Sequence, residues 1–196
     1  MTVLTKEKVN KIFSHIPTLK TERLILRKMK ITDSEDMFEY SKDPEVTKYL
    51  LWSPHTEYSQ SLEYLRFLQG RYRAGDFYDW GIVLKDSGKM IGTCGFTSLD
   101  FGNNSGEVGY VINRAYWGKG IASEALAQVM RFGFMELNLH RLEARYMAEN
   151  VSSRRVMEKC GMSFEGIKRS SMFVKGLYRD IGTCSILSDE YIRKFL

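Results

Sequence analysis

Trp117-Gly118-Lys119-Gly120-Ile121-Ala122-Ser123 joins an extended run, Glu107 to Ile112, to an apolar helical stretch ending near Leu137. The first amides of a helix have no intrahelical acceptor, and the helix dipole makes that end positive. Two glycines let the backbone curl closely around an anion, so strand, glycine loop and helix together can form a phosphate site. The same spacing also suits a tight strand-to-helix turn with glycines for geometry alone, and G-x-G by itself leaves both readings open. A P-loop is excluded, because no G-x-x-x-x-G-K-[ST] occurs. A dinucleotide fold fits poorly: Ser123 stands at the third glycine position, and Glu143 falls at an alternating position of the next strand.

Working outward, the chain before the loop passes from helical to extended patterning. Residues 5–16 place Val9, Ile12, Phe13 and Ile16 at helical spacing. Leu24-Ile-Leu26 reads as a strand, Thr32-Asp-Ser-Glu35 as a capping box opening a helix, and Asp43-Pro44 as the start of another running to about Leu50. A helix follows over 57–73. Trp80–Leu84 and Met90–Phe96 flank the hairpin signal Asp86-Ser-Gly-Lys89. After the loop come a strand at 141–146, a helix from Asn150 to Cys160-Gly161, and strands at 163–174 and 177–187 around Lys175-Gly176. A short helix closes the chain. These elements imply an α/β protein with a mixed sheet and helices on both faces.

The 196 residues show no repeat and no Gly/Ser/Pro linker. One domain over 19–196, preceded by a helical extension over 1–18, is expected. No apolar run approaches the length of a membrane span, and the first residues carry charges where a signal peptide needs apolar ones. Neither membrane nor export is therefore expected, and a cytoplasmic location follows. Cys94, Cys160 and Cys184 lack disulfide or zinc spacing, and His15, His55 and His140 are far apart, so no metal is expected.

Taken together, the element order and several motifs resemble the GNAT N-acetyltransferase superfamily, in particular its ribosomal-protein alanine N-acetyltransferase branch. The motifs are the glycine loop, Leu19 to Arg27, Asp43 to Leu50, Met90 to Gly95, Gly106 to Tyr110, Ala148 to Val156 and Gly176 to Asp180. The resemblance spans about 19–190. It implies a twisted, mostly antiparallel sheet of about seven strands, with a V-shaped splay between the fourth and fifth. It implies acetyl-CoA as cosubstrate, its pyrophosphate held by Trp117, Gly118, Lys119, Gly120, Ile121, Ala122 and Ser123. Trp117 replaces the Gln/Arg usual in the wider family. The pantetheine arm would lie in the splay against Val111 and Ile112 and reach Asn150, a residue type that also caps helices.

The implied reaction is direct attack of a primary amine on the thioester. Glu107 is the implied base and Ser153 the implied donor to the leaving sulfur, since the tyrosine many relatives carry is replaced by Met157. His55, Tyr110 and Asp180 are candidates for the acceptor side. The acceptor would be a protein N-terminus, ribosomal proteins included. Alternatives are a small amine such as a polyamine, aminoglycoside or amino acid, or a CoA-binding module without turnover. Monomer and homodimer both remain open. Net charge is +5, and residues 141–179 alone hold nine basic against four acidic residues. The excess thus lies where CoA phosphates are expected, and it does not call for nucleic acid.

Overall fold

The computed structural model describes residues 4–196. Eight strands form one sheet in the order β1-β2-β3-β4-β5-β6-β8-β7. In chain order these are β1 (Leu19–Lys20), β2 (Leu24–Arg27), β3 (Tyr78–Leu84), β4 (Met90–Asp100), β5 (Ser105–Ile112), β6 (Arg141–Met147), β7 (Ser163–Val174) and β8 (Leu177–Leu187). Every neighbouring pair is antiparallel except β5 and β6, which run parallel. The eighth strand is β1, whose two residues pair with Leu26 and Ile25. Two residues are too few to show alternation, so the sequence does not announce it.

The helices are α1 (Lys6–Ser14), α2 (Ser34–Ser41), α3 (Pro44–Thr47), α4 (Tyr58–Ala74), α5 (Ile121–Met135), α6 (Val151–Lys159) and α7 (Ser188–Phe195). Asp43 caps α3 by accepting from the Glu45 amide, but that helix stops at Thr47, short of Leu50. The capping box read at Thr32 does not form. A 3-10 turn, Ile31–Asp33, precedes α2 instead, and the Asp33 carboxylate accepts from the Lys30 amide while pairing with Arg27 at 2.7 Å. An arginine six residues upstream, at the end of β2, thus holds the turn that precedes α2.

The core covers both faces of the sheet, with Met29, Met90 and Tyr72 on one and the α5 side chains on the other. Phe13 of α1 stands edge-on to Trp80 at 5.4 Å, Phe132 of α5 at 6.0 Å and Phe96 at 6.4 Å. Such pairs contribute about 0.5–1.5 kcal/mol beyond their area burial. The Trp80 indole donates to the Pro17 carbonyl at 2.7 Å, tying the segment after α1 to β3. Gly75 ends α4 at φ +69°, and a Cβ there would lie 2.0 Å from the Asn10 carbonyl oxygen, so α1 and α4 meet backbone to backbone. All three cysteines are buried and unpaired. No helix among the described residues is long and apolar enough to cross a membrane.

The feature that shapes the site is the parting of β5 and β6. They pair only at Ser105–Arg141, Gly106–Leu142 and Glu107–Glu143. Beyond Glu107, β5 continues against β4 as far as Ile112 while β6 continues against β8 as far as Met147. A wedge therefore opens between two strands that each keep a partner on the other side.

Candidate active site

Glu107 is the last β5 residue paired to β6, so its side chain sits at the apex of the wedge. Its carboxylate lies 2.7 Å from the Arg145 guanidinium of β6, which fixes its orientation. Strand parity decides what lies on each face. Asp79, Gly95 and Gly109 are direct partners across β3, β4 and β5, so they share the face of Glu107. Trp80, Cys94 and Tyr110 are partners one step along and face the α5 and α6 side. Glu107 and Tyr110, three apart, thus address the wedge from opposite faces.

On the helix side, the Tyr110 hydroxyl lies 2.9 Å from both the Oγ and the carbonyl oxygen of Ser153 in the first turn of α6. Burial pushes the Tyr110 phenol above its ordinary range, so it stays protonated and able to donate. Asn150 caps α6 by accepting from the Ser153 amide at 3.2 Å. Met157 lies one turn further on and offers no proton.

The glycine loop joins this side. Gly118 and Gly120 have φ of +74° and +75°, the left-handed region that favours glycine. A Cβ on Gly118 would meet nothing within 4 Å, so space as well as conformation is left above the loop. Gly120 opens α5, leaving the first amides of that helix beside the loop. Trp117 has a local job: its indole donates to the Ile112 carbonyl at 2.8 Å, stapling the loop to the end of β5. That carbonyl, which the resemblance sets beside the pantetheine arm, thus already accepts one hydrogen bond. Lys119 lies over the Tyr116 ring at 5.2 Å. The Ser123 carbonyl accepts from the Cys160 thiol. Arg23 donates to the Lys119 carbonyl at 2.9 Å and pairs with Glu124 of α5 at 2.6 Å. The backbone shape and the helix terminus together fit a diphosphate.

The wedge opens into a cleft of about 960 Å3 that contains Glu107, Tyr110, Val111, Asn150 and Ser153. It extends past His55 and Trp52 to Asp79. His55 bonds Ser61 at 2.7 Å, and burial lowers its pKa, which favours the neutral ring. Asp180 is not brought to this cleft. Its carboxylate accepts from the Ser170 amide at 2.7 Å, where Ser170 has a left-handed φ of +47° and the β7–β8 register shifts. Sequence reasoning passed over Arg23, Arg145 and Asp79. The first two act through contacts remote in sequence; the third was visible as an acid in the otherwise uncharged run Tyr78 to Leu84.

A profile of the acetyltransferase (GNAT) domain matches residues 23–163. The chain is 38% identical over 174 residues to the uncharacterized N-acetyltransferase p20 of Bacillus licheniformis, covering 89% of this chain and 98% of that one. It is 25% identical to the [ribosomal protein uS5]-alanine N-acetyltransferase of Escherichia coli, over 85% of this chain and 90% of that one. A GNAT-family acetyltransferase structure from Bacillus anthracis superposes with a TM-score of 0.79 at 31% identity, covering 88% of this chain and 99% of that one.

Proposed function

The chain belongs to the GNAT acetyltransferase family, and from that premise we propose that its wedge carries an acetyl group from acetyl-CoA directly to a primary amine. The observation that carries this reading is the division of labour across the wedge. A carboxylate stands on one face at the apex, and a hydroxyl pair stands on the other. Residues 117–123 and the start of α5 bind the pyrophosphate through backbone amides, with Arg23 bracing the loop. Val111 and Asn150 flank the pantetheine path.

The acceptor enters from the Glu107 face. Glu107 takes the proton from the attacking nitrogen, directly or through a water, while Arg145 holds the carboxylate in place. The carbonyl carbon bonds to nitrogen and the C–S bond breaks, leaving a thiolate on the opposite face. Ser153 Oγ donates to that sulfur, and Tyr110, its hydroxyl 2.9 Å from both the Oγ and the carbonyl oxygen of Ser153, holds that serine beside the leaving group. Tyr110 therefore serves the leaving group rather than the acceptor. His55 and Trp52, with ring centroids 5.4 Å apart, form the acceptor wall. The N-terminal α-amine of a ribosomal protein, by kinship with the uS5-alanine enzyme, and a small amine are both acceptors of the right chemistry. The chemistry of the cleft floor, below, favours the small amine.

Acetyl-CoA mixed with the protein and a panel of amines and N-terminal peptides, with free thiol followed, tests the reading. Amine-dependent thiol release is the expected result. Tight CoA binding without release for any amine would make the chain a CoA-binding module instead.

A further inference from the structure

Asp79 is the cleft's unspent charge. Among the described residues its Oδ1 has no hydrogen-bond partner and no contact with solvent, although the residue as a whole still borders the cleft. The cleft's other carboxylates are engaged: Asp76 lies 2.7 Å from Arg71, and Glu107 the same distance from Arg145. Its remaining cations are exposed Lys6 at the edge and His55, which leans neutral. The Thr93 side chain and the Trp80 amide support the carboxylate but supply no counter-charge, and a buried carboxylate oxygen left bare is costly unless a cation meets it. Burial pushes this carboxyl up to about 7, the mark of that unmet demand. Tyr40, Tyr64, Tyr78 and Trp52 line the same end of the cleft, and aromatic rings attract ammonium groups.

The position of Asp79 says where such a charge would lie. Asp79, Gly95 and Gly109 form one row across the sheet, and Oδ1 lies toward β4, only 2.8 Å from where a Gly95 Cβ would stand. Two strand spacings, about 10 Å, separate Asp79 from Gly109, and Glu107 lies two residues, about 7 Å, further along β5, which puts the two acids about 12 Å apart at the backbone. Neither glycine raises a side chain between them; only the Thr97 methyl leans over Gly109. We propose that the acceptor is a dicationic amine, one nitrogen attacking at Glu107 and the other seated as an ammonium on Asp79. The proposal rests on the reading of the wedge as the acetyl-transfer site, and it makes Asp79 a specificity-determining residue with no part in the chemical step.

The test compares a straight-chain α,ω-diamine long enough to span that separation, its nitrogens about 12 Å apart, with the amino alcohol of the same length. Binding to wild type and to Asp79→Asn is measured by calorimetry, and kcat/KM is measured with acetyl-CoA. Wild type should favour the diamine by about 10- to 100-fold, the worth of a charge-assisted hydrogen bond. Asp79→Asn, which is isosteric, should erase that preference while leaving CoA affinity intact and the fold no less stable than wild type. Equal binding of the two ligands to wild type, or an undiminished preference in Asp79→Asn, would overturn the proposal. CoA binding measured on the same preparations separates the two levels. Its absence would sink the acetyl-transfer reading, whereas the diamine comparison decides the role of Asp79 either way.

Discussion

Single side chains on the two faces of the wedge make separable contributions. Ser153→Ala should lower kcat by about 10- to 100-fold with little change in the KM for acetyl-CoA, as expected for a donor used only when the sulfur leaves. Tyr110→Phe acts through Ser153, so the double variant should lose little more than Ser153→Ala alone; additive losses would separate the two hydroxyls. Asp79 shapes stability as well. Its carboxyl is raised from the ordinary 3.8 to about 7, so between those pH values the folded protein holds a proton the unfolded chain has released. Its effect on stability is therefore most favourable below about pH 4 and is lost as pH rises through 7. Asp79→Asn should melt a few degrees above wild type at pH 8 and level with it near pH 4, in thermal scans without ligand. A lower melting point for the variant at pH 8 would mean the carboxylate already has a counter-charge in the folded protein.

At the scale of elements, the glycine loop and α5 act as one unit. Gly120→Asp puts an anion at the helix terminus and a side chain on a residue at φ +75°. The strain costs about 1–3 kcal/mol, while CoA affinity should fall by at least about 100-fold in calorimetry; unchanged affinity would reject the loop. The elements bounded by local chemistry were legible in the sequence. Lys175-Gly176 turns β7 into β8, with φ of +51° and +80°, and Gly161 follows α6 at φ +90°. The divergence of β5 from β6 came only through family resemblance, since strand partnership is a long-range property. The register shift between Phe96 and Ser98 was not legible at all, and β4 runs past the expected end at Phe96 to Asp100 because Ser98, Leu99 and Asp100 pair with β5. Trp117 was legible as a departure from the family pattern, but its bond to the Ile112 carbonyl depends on how the loop folds back.

Over the whole molecule, the helix before β1 and the charge of the last third carry the remaining consequences. Val9 and Phe13 of α1 are fully buried in the main core, so the segment ahead of the sheet contributes to its stability. Phe13→Ala should cost about 3–5 kcal/mol in denaturant unfolding; a loss under about 1 kcal/mol would make α1 an appendage. The excess of basic residues over 141–179 is partly internal: Arg141, Arg145, Arg154 and Arg179 each pair with a glutamate. Among the described residues Arg155 and Lys159 of α6 are exposed and have no carboxylate within 4 Å. Composition revealed that excess, and only the fold sorted paired from unpaired charge. All of these scales meet in one reaction, an amine entering from the carboxylate face and a thiolate leaving toward the hydroxyl face. Its most direct test is thiol release from acetyl-CoA, with the acetylated amine quantified by mass in the same samples. The division of labour across the wedge predicts one thiol per acetylated amine and none without amine. Thiol release that proceeds at the same rate without an amine, or no release from any primary amine despite tight CoA binding, would contradict it.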